Sequence, residues 1–462
     1  MKPQEIIERI TAAANYEDCI VIVESKTQTN LRWASSTLTT NGHISEQSVS
    51  VIAFVAVNGG MATSSITYPN VAEEDCERIA REAGEAARAA APAEDFAELV
   101  KDKSLGEWSA AHHPTTPEVF AKTVVDLGDM FKRSISDKIE LFGYAEHTHK
   151  STWVGSKGGL RLRYDQPDGR IEMTGKSHDR SRSTWEGVAT RDFSNINIAE
   201  IDRAIRTRLD WQANSREIPA GKYETVFPAG SIADLFTYML WSSAGKSAAE
   251  GRSVFSNKNG GAATTRIGEK LSNLPINIYS DPSYPGLESA PFTIASSSDE
   301  VHSLFDNGMG LHRSDWFKDG ELSALMQSRA SAQQTNLPYV PAGENFIVDL
   351  PHSSGTLEDL IKKVDSGLLV TTLWYIRMVD PTSLLLTGLT RDGVYEIKGG
   401  EVVGAVNNFR WNDSPVELLK RIKAAGATHI TQPREWAGDV ERVAAPPMIL
   451  EDFNMSTISQ AN

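Results

Sequence analysis

The sequence contains very little cysteine: of its 462 residues, only Cys19 and Cys76 carry a thiol. Two cysteines are too few for the disulfide framework of a small secreted protein. Their spacing also excludes a CxxC redox or zinc pair. A reducing compartment is the simplest expectation, and we therefore predict a cytoplasmic location.

Long apolar runs are absent as well. The nearest is 232–241, which Asp234 interrupts and which is far shorter than the ~18 residues that a membrane-spanning helix needs. The first residues, MKPQE, include no apolar stretch of the kind that a signal peptide carries. We expect a soluble protein with no membrane partner.

Basic charge is scarce: 46 Lys and Arg face 61 Asp and Glu, which gives a formal net charge of −15. No run of Lys and Arg provides a local exception. Because binding to a phosphate backbone requires a basic surface, this balance excludes a typical nucleic-acid-binding protein.

The first part of the chain shows two segments of similar pattern. Residues 1–91 read as a helix, strands that include 19–23 and 30–37, a turn at Asn58–Gly59, and a second helix. Residues 92–115 are rich in Ala and Pro and are predicted to be a linker. Residues 116–215 again read as helix, strands and helix. Two α+β units are therefore predicted here.

The remaining residues, 216–462, are dominated by short strand-like runs and turns, after one strongly apolar helix at 231–243. Strands dominate and helices are segregated from them, whereas a parallel α/β fold would alternate the two. We predict an α+β protein whose strand-rich C-terminal domain follows two smaller units.

The C-terminal part carries an ordered series of short motifs. The earlier ones are GKYETVFP at 221–228, SVFS at 253–256, IGEKL at 267–271, DP at 281–282, APF at 290–292, DGEL at 319–322 and SRASA at 328–332. The most extended block is GLLVT at 367–371, RMVDP at 377–381, LTGLTRDG at 386–393 and GGEVV at 399–403. The series ends with APPMIL at 445–450 and DF at 452–453. In this order the motifs resemble those of the TldD/PmbA (TldD/TldE) metallopeptidase family.

The resemblance implies a two-subunit peptidase that degrades unfolded or short peptides. In that family one subunit type binds zinc on an HExxxH helix with a later cysteine, and the other type lacks these residues. Here none of the ten histidines is followed by Glu, the corresponding helix at 233–241 has no His, and both cysteines lie in the first 80 residues. The chain is thus similar to the TldE/PmbA-like type. This implies no catalytic residue or cofactor of its own, and a zinc-bearing TldD-like partner.

Two groups of residues remain as candidate sites. His147 and His149 share one face of a predicted strand, so both imidazoles could contact one metal ion, although no third ligand is evident. The aromatic and basic residues Trp241, Trp374, Tyr375 and Arg377 are candidates for a peptide groove or a subunit interface. Alternative hypotheses are a homodimeric peptide-binding scaffold without protease activity and an enzyme with a different, unrecognised site.

Overall fold

The computed structural model describes residues 1–257 and 264–459, and within these ranges it confirms an α+β fold. Strands form three sheets, of seven, six and ten strands. No helix within the described ranges is long and apolar enough to cross a membrane.

The seven-stranded sheet occupies the N-terminal part, with strand order β3-β2-β1-β5-β6-β4 and β7 beside β6. The elements up to residue 216 are α1 (Pro3–Ala13), β1 (Asp18–Ala34), β2 (Thr37–Val57), β3 (Gly60–Pro69), α2 (Cys76–Ala89), β4 (Ser104–Leu105), α3 (Ala121–Ser136), β5 (Ile139–Ser156), β6 (Arg161–Ser177), β7 (Ser183–Thr190), α4 (Ile198–Trp211) and β8 (Ser215–Arg216).

The strands predicted separately at 19–23 and 30–37 are one long strand, β1, which ends at a tight turn. Ser35 and Ser36 have φ values of 48° and 59°, the left-handed conformation that two-residue hairpin turns require. The polar run between the two predicted strands gives no strand signal, because its inward residues Thr27 and Thr29 are buried polar groups rather than apolar ones. A division of residues 1–215 into two units stays a prediction, but strands from both halves form this one sheet.

All four N-terminal helices lie on one face of the seven-stranded sheet. Odd-numbered residues of β1 point to this face: Val21 and Val23 pack with α1 and α2, while Leu31 and Trp33 pack with α3 and α4. Ile20 and Ile22 point to the opposite face and pack against a C-terminal stretch around Phe305.

The gap between the two helix pairs is closed by residues 108–115, which we call the strap. Its Thr115 Oγ1 lies 2.6 Å from His147 Nδ1, and its His112 contacts Ser151 Oγ at 2.8 Å and Thr27 Oγ1 at 3.1 Å. The backbone N–H of Thr115 also donates to Thr27 Oγ1. The middle of the sheet is therefore held by hydrogen bonds rather than by apolar packing.

These contacts predict that the protein loses stability as the pH falls. Burial lowers the pKa of His112, His147 and His149 below 6.5 in the folded state, so the unfolded chain binds protons first. Stability should decrease below about pH 6.5, by up to about 1.4 kcal/mol per pH unit for each histidine. Denaturant titrations at several pH values should show that the free energy of unfolding depends less steeply on pH in His147→Asn than in the unmodified protein. Equal slopes in the variant and the unmodified protein would refute the assignment.

The C-terminal part contains the other two sheets, with orders β12-β11-β10-β13-β22-β21 and β15-β16-β19-β23-β9-β14-β17-β18-β8, and β20 beside β23. Its elements are β9 (Gly221–Phe227), α5 (Ala229–Trp241), α6 (Gly245–Ala249), β10 (Asn277–Ser280), β11 (Ser314–Lys318), β12 (Glu321–Leu322), α7 (Arg329–Thr335), β13 (Ile347–Asp349), α8 (Leu357–Ile361), β14 (Ser366–Val370), β15 (Leu373–Asp380), β16 (Leu385–Thr390), β17 (Val394–Lys398), β18 (Glu401–Val406), β19 (Phe409–Asp413), α9 (Pro415–Leu418), β20 (Ile422–Ala425), β21 (His429–Thr431), β22 (Val443–Ala445) and β23 (Met448–Ile458).

Helix α5 lies within the largest apolar core, which includes residues of both C-terminal sheets. Ten of its thirteen residues are buried, among them Ile232, Leu235 and Phe236. Val348 of β13 and Val370 of β14 belong to the same core. A helix that is apolar on almost every side is typical of this central position, and it explains the long apolar run in the sequence.

Candidate functional site

Helix α5 carries one acidic side chain into this apolar core. Asp234 is only 1% exposed, and its Oδ1 accepts a hydrogen bond of 3.0 Å from the backbone N–H of Glu435. The indole N–H of Trp436 donates to the backbone carbonyl of Asp234 at 2.8 Å. Asp234 therefore joins α5 to residues 434–436, which we call the joining segment.

Strand β15 lies at the edge of the ten-stranded sheet and is bulged next to the joining segment. Its residues Trp374 and Arg377 pair with Leu389 and Thr387 of β16, so two residues of β15 oppose one residue of β16. Tyr375, inside the bulge, has a φ of 52°. The residue opposite is Gly388, where an added Cβ would meet the ring of Trp411 at 2.6 Å.

The carboxylate of Glu435 satisfies the donors that the bulge leaves free. It accepts hydrogen bonds from the backbone N–H groups of Tyr375 and Ile376, at 3.0 and 2.9 Å. It also forms an ion pair of 3.3 Å with the Arg377 guanidinium. The Glu435 side chain is only 7% exposed. The joining segment thus fixes the shape of the edge strand as well as the position of α5.

All four residues predicted as groove or interface candidates meet around the joining segment. Trp241, at the end of α5, packs edge to face against Trp436 with ring centroids 4.9 Å apart. Trp374 lies 5.9 Å from Tyr375, and the Arg377 guanidinium lies 5.8 Å from the Tyr375 ring. We call Trp241, Trp374, Tyr375 and Trp436 the aromatic surface.

The aromatic surface is partly open to solvent. Trp241 is 50% exposed and Tyr375 is 55% exposed, and the neighbouring Met378 and Val379 of β15 are exposed too. Trp374 is half-buried, and the Arg434 guanidinium covers its ring at 5.1 Å. Exposed aromatic rings beside an open strand edge form a surface suited to binding an extended chain.

Burial affects the two carboxyl groups at this site to different extents. Burial raises the pKa of Asp234 well above its usual range, and the nearby Glu435 carboxylate raises it further. Burial also raises the pKa of Glu435, although the N–H groups of Ile376 and Tyr375 and the charge of Arg377 oppose that change. Burial therefore favours the neutral form of Asp234 most strongly, whereas the two N–H groups and Arg377 favour the charged form of Glu435.

The residues present do not fit a zinc ion. Helix α5 has no histidine, and Asp234 is already used in a hydrogen bond to the joining segment. His147 is no better placed, because its Nδ1 contacts Thr115 and its Nε2 contacts the carbonyl of Arg191 at 2.8 Å. Among residues 1–257 and 264–459, no group of three or more His, Cys, Asp or Glu side chains is arranged to hold a metal.

Sequence reasoning missed the joining segment and the role of Asp234. One signal was present, because Asp234 interrupts an otherwise apolar helix, and a charge in such a place needs a partner. Arg434 and Trp436 are also residue types that are frequent in binding sites. Neither signal shows that the two stretches, about 200 positions apart, are in contact.

Known proteins resemble this chain both in sequence and in three-dimensional structure. A sequence model described as the PmbA/TldA metallopeptidase C-terminal domain matches residues 220–457. No curated protein matches the sequence. Among solved structures, TldE from Thermococcus kodakarensis is similar at 15% identity with a TM-score of 0.77, covering 98% of this chain and 99% of that one. A protein from Thermotoga maritima described as a modulator of DNA gyrase is similar at 16% identity, with the same coverage and a TM-score of 0.73. A like-named protein from Bacteroides thetaiotaomicron gives 14% identity, the same coverage and a TM-score of 0.72.

Proposed function

This chain belongs to the PmbA/TldD metallopeptidase family, and on that basis we propose that it is the non-catalytic subunit of a two-subunit zinc peptidase. The proposal is supported by the sequence of α5, which has no histidine, and by the position of both cysteines in the N-terminal sheet region. The zinc ion then belongs to a TldD-like partner subunit. Two buried, unpaired cysteines agree with a cytoplasmic location for the complex.

The observation that carries the proposal is the exposed outer side of strand β15, which lies beside the aromatic surface. An extended peptide can add to a sheet edge through main-chain hydrogen bonds, which tolerate many sequences. Glu435 already holds the N–H groups of Tyr375 and Ile376, so pairing would use residues 377–380. Trp241 and Tyr375 would contact the side chains of the bound peptide. This chain would thereby form one wall of the substrate cleft.

A mixing experiment tests the proposal. The purified chain, the zinc-bearing relative from the same source and their mixture are assayed for zinc content and for cleavage of unfolded casein. We expect no zinc and no cleavage with this chain alone, and cleavage on mixing. Stoichiometric zinc in the isolated chain, or cleavage by it, would instead favour an enzyme with its own unrecognised site.

The aromatic surface is tested in the same assay with a double variant. Trp241→Ala with Tyr375→Ala should reduce cleavage by the mixture at least about ten-fold, because each ring supplies a large contact area. The matched control replaces Val125 and Ile135 by Ala, since these apolar side chains of α3 are 65% and 63% exposed but lie elsewhere. Unchanged cleavage with the aromatic variant would show that the peptide does not bind at this surface, whereas no cleavage by any mixture would favour a homodimeric peptide-binding scaffold.

A further inference from the structure

Among residues 1–257 and 264–459, no strand pairs with the first half of β2 on its outer side. Strand β1 pairs with β2 along its whole length, but β3 pairs only with residues 48–57. The carbonyl of Gln47 accepts from the N–H of Asn70, and the edge is open beyond it. Within the described part of the chain, residues 37–46 therefore form an uncovered strand edge, which we call the open edge.

The open edge has little to protect it from pairing with another strand. Nine of its ten residues are exposed, and the tenth, Gly42, has no side chain. The apolar residues Leu38 and Ile44 are 45% and 48% exposed. It contains no Lys, Arg or Pro, the residues with which proteins commonly block an edge. Its only carboxylate, Glu46, is 3.4 Å from Lys26, so the segment is locally almost neutral in a chain of charge −15.

We propose that the open edge pairs with the open edge of a second copy of this chain. Antiparallel pairing about a two-fold axis at Asn41 places Leu38 directly opposite Ile44 of the other copy, and the symmetry repeats this contact. Both side chains lie on the same face of β2, because their positions in the sequence differ by an even number. The two seven-stranded sheets then continue into one another.

The sequence of the open edge selects this register. A shift by one residue would place Leu38 and Ile44 on opposite faces of the joined sheet. With the axis at Asn41, Thr39 faces His43, and Glu46 falls beyond the paired region, so no two like charges stand opposite each other. A closed two-fold pair also leaves neither open edge exposed, which removes a template for further aggregation.

The sharpest test is disulfide formation between copies. In the double variant L38C with I44C, the two new thiols of different copies should lie within about 5 Å between Cβ atoms. Mild oxidation should then give a covalent dimer on a non-reducing gel. The single variant L38C should give little, because the two equivalent positions would be about 20 Å apart along the strands. Native Cys19 and Cys76 are buried and leave the background low.

Two outcomes would overturn the proposal. One is efficient cross-linking of the single L38C variant, which would indicate a different register. The other is a monomer for the unmodified chain in sedimentation equilibrium, even if it pairs with the zinc-bearing relative. The expected result is a dimer that tightens as salt is added, since salt screens the repulsion between two copies of charge −15.

A charge-introducing variant gives an independent measurement. Leu38→Lys with Ile44→Lys should weaken the dimer at least about ten-fold, because lysine stands opposite lysine in both pairs. Val125→Lys with Ile135→Lys on α3 is the matched control and should leave the dimer unchanged. Equal dissociation constants for the two variants would refute the interface. The mixing assay on β15 is separate, so each proposal can fail without the other.

Discussion

Replacing Arg442 by Ala is expected to lower the free energy of unfolding by about 3 kcal/mol, because the partly buried carboxylate of Asp168 is left without its counter-charge. The Arg442 side chain is only 4% exposed and lies 2.7 Å from Asp168 of β6. It also donates to the backbone carbonyls of Gly286 and Pro167, at 2.7 and 3.1 Å. One guanidinium thus joins the N-terminal sheet to two stretches of the C-terminal part.

The loss should depend on pH in a defined direction. Burial raises the pKa of Asp168, and Arg442 opposes that effect, so the pKa rises further in the variant. The penalty should be full at neutral pH and should be smaller at an acidic pH, where Asp168 takes up a proton. Urea titrations at the two pH values measure it.

Two further variants check the cause. Adding Asp168→Asn to Arg442→Ala should recover part of the lost stability, because no unpaired charge remains. Arg180→Ala removes an ion pair with Glu140 whose arginine is 62% exposed, and it should cost no more than about 1 kcal/mol. A loss of similar size in Arg180→Ala and Arg442→Ala would contradict the argument from burial.

Replacing Glu435 by Ala is expected to free the edge strand β15 from the joining segment. Its carboxylate accepts from Tyr375 N–H and Ile376 N–H, and such charge-assisted bonds contribute about 1.5–3 kcal/mol each. The amide hydrogens of these two residues should exchange with solvent about ten- to a hundred-fold faster. Hydrogen exchange followed by mass spectrometry measures the change.

Two further variants distinguish the loss of the Glu435 carboxylate from a general loss of stability. Glu435→Gln keeps one acceptor oxygen and should retain part of the protection at β15. Glu250→Ala removes an exposed carboxylate that pairs with Arg252, and it should leave β15 unchanged. If Glu435→Ala exchanges at the original rate, the bulge is held by its pairing with β16 instead.

Local patterns in the sequence predicted much of the fold. The periodic apolar residues Ile6, Ile7 and Ile10 placed α1, and the Asn58–Gly59 turn placed the β2–β3 hairpin, because both signals lie within a few neighbouring residues. The length of β1 was missed, since strand boundaries depend on partners that are distant in the sequence. Thr27 and Thr29 are strand residues here because β2, β5 and the strap satisfy them.

The site was predictable only in part, for the same reason. Trp241, Trp374, Tyr375 and Arg377 were identified by residue type, and the structure brings them to one surface. Their common neighbour, Glu435, has no local signal, because its role arises from contacts with β15 and α5. The metal hypothesis for His147 and His149 rested on their shared face alone. It did not take account of the strap, whose Thr115 engages His147.

Strand β23 has a consequence for how the protein is made on the ribosome. It lies between β9 and β19 in the ten-stranded sheet, although β9 starts at Gly221 and β23 ends at Ile458. At roughly 5–20 residues per second, β9 leaves the ribosome on the order of ten seconds or more before β23 does. Until β23 is available, β9 lacks its neighbour on that side, and so does β19 once it has been made. The nascent C-terminal part therefore presents unpaired strand edges. We expect it to depend on chaperones until translation has supplied β23.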